Sequence, residues 1–294
     1  AFTIRYDTLL SVGRVQTPTL AILVERQKEI NAFVAQEYFE VTAYFDGFKG
    51  NWINKDTRDI KIQDINMAKE IVGKVENKPG TVIEVEHEEK KQPAPLLYDL
   101  TELQRDANKK LGFTAKKTLS VAQDLYEKRK LITYPRTDSR YLSHDMVPKL
   151  KGTLRKVNVE PYVKNIEYVL NLPELPINKR LVDDSKVTDH HAIIPTETRP
   201  ELSKLTQDEL QVYDLILRRF ISVFYPNYIY MLTRILSEVE KETFLTKGKT
   251  INALGWMELY KNDVSSEKDD EEQEIPKLVK GDEVKVNKAE MLKK

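Results

Sequence analysis

The chain has 294 residues, with 47 Lys plus Arg balanced by 47 Asp plus Glu, 40% hydrophobic residues and no cysteine. This composition fits a globular protein with room for about two domains, and it excludes disulfides and thiolate metal sites. A neutral overall balance carries no information about a polyanionic partner, so only local charge can be read.

The opening residues, AFTIRYDTLLS, have no initiator methionine and no signal-peptide core. Apolar runs such as Leu20 to Val24 are far too short to span a bilayer. The expectation is a cytoplasmic protein without a membrane anchor, cut from a longer chain. Residues 18–30, PTLAILVERQKEI, place Leu20, Leu23, Val24 and Gln27 in helical register after a Thr17-Pro18 start. EYFEVTAYF then alternates Phe39, Val41, Ala43 and Phe45 with Glu40, Thr42 and Tyr44, a half-buried strand, and Gly47 and Gly50 punctuate a turn after it. Asp64 can cap a helix carrying Ile65, Ala68, Ile71, Val72 and Val75, and KPGTVIEVE reads as a turn and a strand.

EEKKQPAPLLYD is a charged, proline-bearing connector that reads as a domain boundary. After it, Asp99 and Glu102 have capping-box spacing, Leu100, Leu103, Ala107 and Leu111 line one helix face, and Gly112 ends that helix. Thr114 can cap the next helix, with Leu119, Ala122, Leu125 and Tyr126 inside. Two helices joined through GFT and followed by a strand LITY resemble a helix-turn-helix of winged-helix type. TQDELQVYDLILRRFISVFYP is an amphipathic helix, YIYMLTRILSEVE a strand, and SSEKDDEEQE a solvated loop. The order β, α, β predicts an α+β chain in which a β-rich domain is interrupted by a helical one.

Three stretches could carry chemistry. LITYPRTDSRYL places Tyr134 beside Arg136. An aromatic at a strand end is the plain reading, and a nucleophile is the other. A phenol with an unperturbed pKa of about 10 needs help to attack a phosphodiester, and an arginine two residues away in extended chain shares its face and can hold the phosphate. Between Gln104 and Arg140 there are ten basic residues and four acidic ones. That excess is the footprint of a phosphate-binding surface, with Lys116, Lys117 and Arg140 the members expected to meet DNA. In VTDHHAIIPTE, His190 and His191 point to opposite sides of an extended chain and have no third ligand nearby, so a zinc site is not expected. A buried structural pair and an imidazolium facing a phosphate both remain open. LLSVGRVQTPTL offers Gly13, Arg14, Gln16 and Thr17 at a helix start whose free N–H groups favour an anion, a weak signal alone.

Taken together, LSVGRVQTPTLAILVERQKEI, LYDLTELQRDANKKLGFTAKKTLSVAQDLYE, LITYPRTDSRYL and DHHAIIPT, in this order and spacing, closely resemble the type IA DNA topoisomerases. FLTKGKTINALGWMELY extends the likeness over essentially the whole chain. The resemblance implies that Tyr134 is the nucleophile that cuts one strand, takes the 5′-phosphate and leaves a 3′-hydroxyl. It implies that Arg136 positions the scissile phosphate, that His190 contacts the phosphate near the cut, and that Ser11, Arg14 and Gln16 lie along the bound single strand. Asp138 matches a family position to which the sequence assigns no chemistry.

The resemblance also implies a β arch interrupted by a winged-helix-like domain carrying the tyrosine. The implied division is residues 1–35 as a strip of a DNA-binding helical domain, 36–92 and 228–294 as a discontinuous arch, and 93–227 as the tyrosine domain. Family members bind Mg2+ in an N-terminal Toprim domain. The acids at Asp269 to Glu272 lie in a polar loop and do not replace it, so no metal site is expected within this chain. The expected partners are single-stranded DNA and that Toprim domain, in a monomer associated with the nucleoid. The competing reading is a non-catalytic helix-turn-helix DNA-binding module. A tyrosine recombinase is disfavoured because its array of Arg and His residues is not visible.

Overall fold

The structure, a computed structural model, describes residues 13–261, 273 and 275–294. The described residues contain α1 (Gln16–Ala32), β1 (Phe39–Tyr44), β2 (Lys49–Ile53), α2 (Ile65–Val75), β3 (Pro79–Gln92), α3 (Leu100–Leu111), α4 (Ala115–Glu127), α5 (Val147–Lys156), α6 (Val163–Leu170), α7 (Gln207–Ser222), β4 (Tyr228–Val239), β5 (Glu242–Ala253), β6 (Glu283–Lys285) and β7 (Lys288–Lys293). The strands follow the order β6-β3-β4-β5-β2-β1-β7. This is an α+β fold in which β-rich sequence is interrupted by a helical stretch carrying Tyr134. The chain divides into two compact units, one of Ala1–Thr81, Ser237–Leu245 and Gly281–Lys294, the other of Val82–Leu236 and Thr246–Lys280.

In the first unit β1 is the middle of an antiparallel ladder, with Ala43 opposite Gly50 of β2 on one side and Ala289 of β7 on the other. Its alternation is the one expected: Phe39, Val41 and Ala43 are buried, as are Trp52, Phe244 and the Ala68, Ile71 and Val75 face of α2, a helix that lies against β1. Gly47, at φ 83°, makes the turn, whereas Gly50 lies inside β2 and is buried, so only one of the two glycines punctuates. Phe45 and Phe48 stack across that turn at 4.8 Å. Asp64 accepts from the Asn66 N–H as the α2 cap. Trp52 Nε1 and Lys74 Nζ both donate to Glu242, at 2.8 and 2.6 Å. Helix α1 is exposed along its whole length.

The second unit is organised on α7, whose Val212, Tyr213, Ile216, Leu217, Phe220 and Ile221 are all buried. A helix apolar on most of its circumference belongs in a core, and α3, α4 and α6 pack around it. Its start is a full capping box: the Thr206 hydroxyl accepts from the Glu209 N–H and the Glu209 carboxylate accepts from the Thr206 N–H. The Asp99–Glu102 box at α3 forms only by half. Asp99 accepts from the Glu102 N–H at 2.7 Å, but the Glu102 carboxylate turns to Arg105 at 2.5 Å. Gly112 sits at φ 69° and closes α3, and Thr114 caps α4 by accepting from Lys117 N–H.

Two elements differ from the sequence reading. The charged half of the supposed connector, Glu88 to Gln92, continues β3, and only the residues after it leave the strand. LITY is not a strand. It makes one isolated bridge, Ile132 to Pro195, because Pro135 has no N–H to carry a ladder further. The acidic loop 265–274 lies outside the described residues apart from Gln273.

Candidate active site

Helix α4 delivers the chain to the tyrosine. The turn after it uses Lys130 at φ 58°, with the Leu131 N–H reaching back to the Leu125 carbonyl at 2.9 Å in the manner of a helix C-cap. Beyond it, Pro135, Thr137 and Ser139 are buried, Tyr134 and Arg140 are half-buried, and Arg136 and Asp138 are exposed. More and less buried residues thus alternate from Tyr134 to Arg140, although the chain bends at Thr133 and at Pro135. Arg136 has no ion-pair partner among the described residues.

Beside this segment runs the stretch from His190 to Thr196. Thr133 N–H donates to the Ile194 carbonyl at 2.9 Å and Thr196 N–H to the Leu131 carbonyl at 3.0 Å. Side-chain hydroxyls then continue the pairing. Thr133 Oγ1 donates to the Ala192 carbonyl and accepts from the Ile194 N–H, both at 3.0 Å. Thr137 Oγ1 donates to the His190 carbonyl and accepts from the Ser139 N–H, again both at 3.0 Å.

These bonds bring the His190 ring to 4.3 Å from the Tyr134 ring, tilted by 44°. On its other contact Tyr134 meets Tyr126 of α4 edge-on at 5.5 Å, and Lys130 Nζ lies 5.6 Å from the Tyr126 ring centre. His190 is exposed, so it is not a buried structural residue. His191 is half-buried and its Nδ1 lies 2.8 Å from the Ala192 carbonyl. Sequence reasoning placed Tyr126 in the helix interior and missed its contact with Tyr134. It also passed over Thr133 and Thr137, whose signal was their position on either side of a proline that cannot support a ladder.

The other sequence-derived residues are more scattered. Lys116 is exposed near the start of α4. Lys117 is occupied, paired with Asp208 at 2.9 Å and set 3.7 Å from the Phe113 ring centre. Arg140 Nε donates to the Leu97 carbonyl at 3.3 Å, which ties down the strap before α3. Arg14 and Gln16 belong to the first unit, exposed at the entry of α1. Ser11 lies outside the described residues. Among the described residues no group of three or more His, Asp or Glu stands where it could hold a metal, and no helix is long and apolar enough to cross a membrane.

A tyrosine ring, a histidine ring against it and an exposed arginine two residues on make up the candidate site. A family model described as DNA topoisomerase matches residues 1–294, the whole chain. The chain belongs to this family of type IA DNA topoisomerases. Within it the chain is closely related to bacterial DNA topoisomerase III. DNA topoisomerase 3 of Bacillus licheniformis is 45% identical over 289 residues, which cover 97% of this chain and 39% of that protein. DNA topoisomerase 3 of Bacillus subtilis is 43% identical over 290 residues, covering 97% and 40%. Full-length topoisomerase I from Thermotoga maritima superposes with a TM-score of 0.73 at 27% identity, over 98% of this chain and 45% of that one. The chain thus spans about two-fifths of the length of the curated relatives it matches.

Proposed function

We propose that the chain is the strand-cleaving part of a type IA topoisomerase that acts on single-stranded DNA. Tyr134 Oη bonds to a phosphorus as the bond from that phosphorus to the 3′-oxygen breaks. The phenol gives up its proton, the leaving 3′-oxygen takes one up, and the protein keeps the 5′-phosphate as a tyrosyl ester. Rejoining reverses the exchange, so the ester conserves the bond energy between cutting and strand passage and no nucleotide triphosphate is consumed. Arg136 offers a fork for the phosphate and its transition-state charge, and His190 offers a second donor beside it.

The observation that carries this reading is the Tyr134 ring set against His190, with Arg136 exposed two residues on, in a chain matched along its whole length by the family model. Arg14, Gln16, Lys116 and Arg140 are proposed to guide the strand, together with Ser11, and Lys117 once Asp208 releases it. The described residues do not fit a magnesium ion, so the Mg2+ that the family resemblance implies is assigned to a Toprim domain elsewhere in the protein. A monomer working in the nucleoid completes the reading.

The test is formation of an SDS-resistant adduct on 3′-labelled single-stranded DNA with magnesium, in the protein carrying this chain together with a Toprim domain. The label must be 3′ because the protein keeps the segment whose 5′-phosphate it holds. Tyr134→Phe is expected to abolish the adduct with DNA affinity changed less than about twofold. Adduct formation by that variant would refute the assignment, and no adduct from the unsubstituted protein with tight duplex binding would favour a DNA-binding module.

A further inference from the structure

The histidine beside the tyrosine is not placed by any helix or strand. Thr188 and Asp189, just before it, are exposed and lie outside regular structure, and the backbone bonds that pair its stretch with the tyrosine segment begin only at Ala192, whose N–H donates to the Tyr141 carbonyl at 2.9 Å. At His190 itself the link to the tyrosine segment is the Thr137 hydroxyl. Thr137 is buried, its Oγ1 donating to the His190 carbonyl and accepting from the Ser139 N–H, both at 3.0 Å. One side chain thus holds both segments three residues beyond the tyrosine. On the near side, Thr133 makes the corresponding pair of bonds to Ala192 and Ile194.

Resting on the reading of Tyr134 as nucleophile, we infer that Thr137 is a positioning residue whose hydroxyl sets the depth of the His190 ring against Tyr134, with Thr133 fixing the other end of the same stretch. As the Thr133 hydroxyl takes the Ala192 carbonyl, the Thr137 hydroxyl takes the His190 carbonyl where a backbone donor would stand in a sheet. Its geometry is a stiff one, because a β-branched side chain has few rotamers to choose from, and both roles of the hydroxyl are already taken within the protein. Thr137 therefore acts through His190 and does not itself meet the DNA.

Thr137→Val keeps the shape and removes the hydroxyl, and Thr137→Ser keeps the hydroxyl. In the full-length protein the valine variant is expected to slow single-turnover cleavage by about tenfold to a hundredfold, the range that follows a misplacement of about an ångström, with single-strand affinity changed less than about twofold. The serine variant should recover most of the rate. In a His190→Ala background, Thr137→Val should add little, because the group it positions is gone. An equal cost in both backgrounds would overturn the inference, and so would a serine variant as slow as the valine. A second readout needs no activity: in the chain itself, the His190 ring-proton resonances, shifted by the Tyr134 ring, should move in Thr137→Val and return in Thr137→Ser. Unmoved resonances in the valine variant would also overturn it. Absence of any adduct from the unsubstituted protein would instead overturn the strand-cleavage reading, an outcome distinct from additive costs or a failed serine rescue.

Discussion

The turn between helix α4 and the tyrosine segment is tied to α7 by an ion pair that is half sealed from water, and removing its cation should be felt in both stability and acid response. Arg129 Nε and Nη2 donate to the two oxygens of Glu209 at 2.9 and 3.0 Å, with the Arg129 side chain 33% exposed and that of Glu209 only 7%. Breaking a fully buried pair from one side costs about 3–5 kcal/mol, since it strands a charge. Here the partly exposed arginine is screened, and Glu209 keeps its bond from the Thr206 N–H, so Arg129→Met should cost about 2 kcal/mol. For a unit of this size that lowers its Tm by about 4–8 °C.

The arginine beside it holds the Glu209 carboxyl below the usual carboxylate range. The stability this contributes is complete above the unfolded value of about 4.3 and is lost as pH falls through the folded value. Arg129→Met should therefore flatten the acid limb of the stability profile. Urea unfolding followed through Trp256, in a Trp52→Phe background, reads the second unit alone, because Trp256 lies there with its Nε1 donating to the Gln92 carbonyl. Adding Glu209→Gln to Arg129→Met should recover about 1 kcal/mol by discharging the stranded carboxylate. A loss below about 0.5 kcal/mol, or an acid limb unchanged by the mutation, would refute this reasoning.

Arg136→Ala should slow adduct formation by at least about tenfold while weakening single-strand binding less than about threefold; equal losses, measured by quench-flow and anisotropy, would reduce Arg136 to a contact residue. Lys116→Ala should lower the slope of log affinity against log salt by about 0.7 for single-stranded DNA, whereas Lys117→Ala should lower it less, because that cation is already paired with Asp208; equal slope changes in the same titration would discount the ion pair. Lys130→Gly should be neutral or stabilising by up to about 1 kcal/mol and Lys130→Val clearly destabilising, since the residue sits at φ 58°; urea midpoints decide, and a stable valine variant would show that the turn rearranges at no cost.

What could be read from the sequence was what local physics dictates. The caps expected at Asp64, Asp99 and Thr114 each accept an N–H from the first turn of their helix. The alternation in β1 buries the residues it should. The charged end of β3 escaped because composition alone argues against strand, yet residues two apart on a strand share a side, and Lys91 pairs with Glu89 at 3.0 Å on that basis. The half-formed box at α3 escaped for a related reason. Glu102 could serve either the Asp99 N–H or Arg105, and the choice rests on where Arg105 lies.

The tyrosine segment shows where periodicity stops being sufficient. A period of two fits the alternating burial from Tyr134 to Arg140. It also predicts a ladder, which depends on donors, and Pro135 interrupts the supply. The fold answers with hydroxyls, Thr133 standing in for a backbone carbonyl toward the Ile194 N–H and Thr137 reaching the carbonyl of His190. A site pinned in this way is set by two side chains and a proline, within one continuous stretch of five residues. Its depth is therefore encoded locally in the sequence, but in the side-chain chemistry between the motif residues and not in the motif residues themselves.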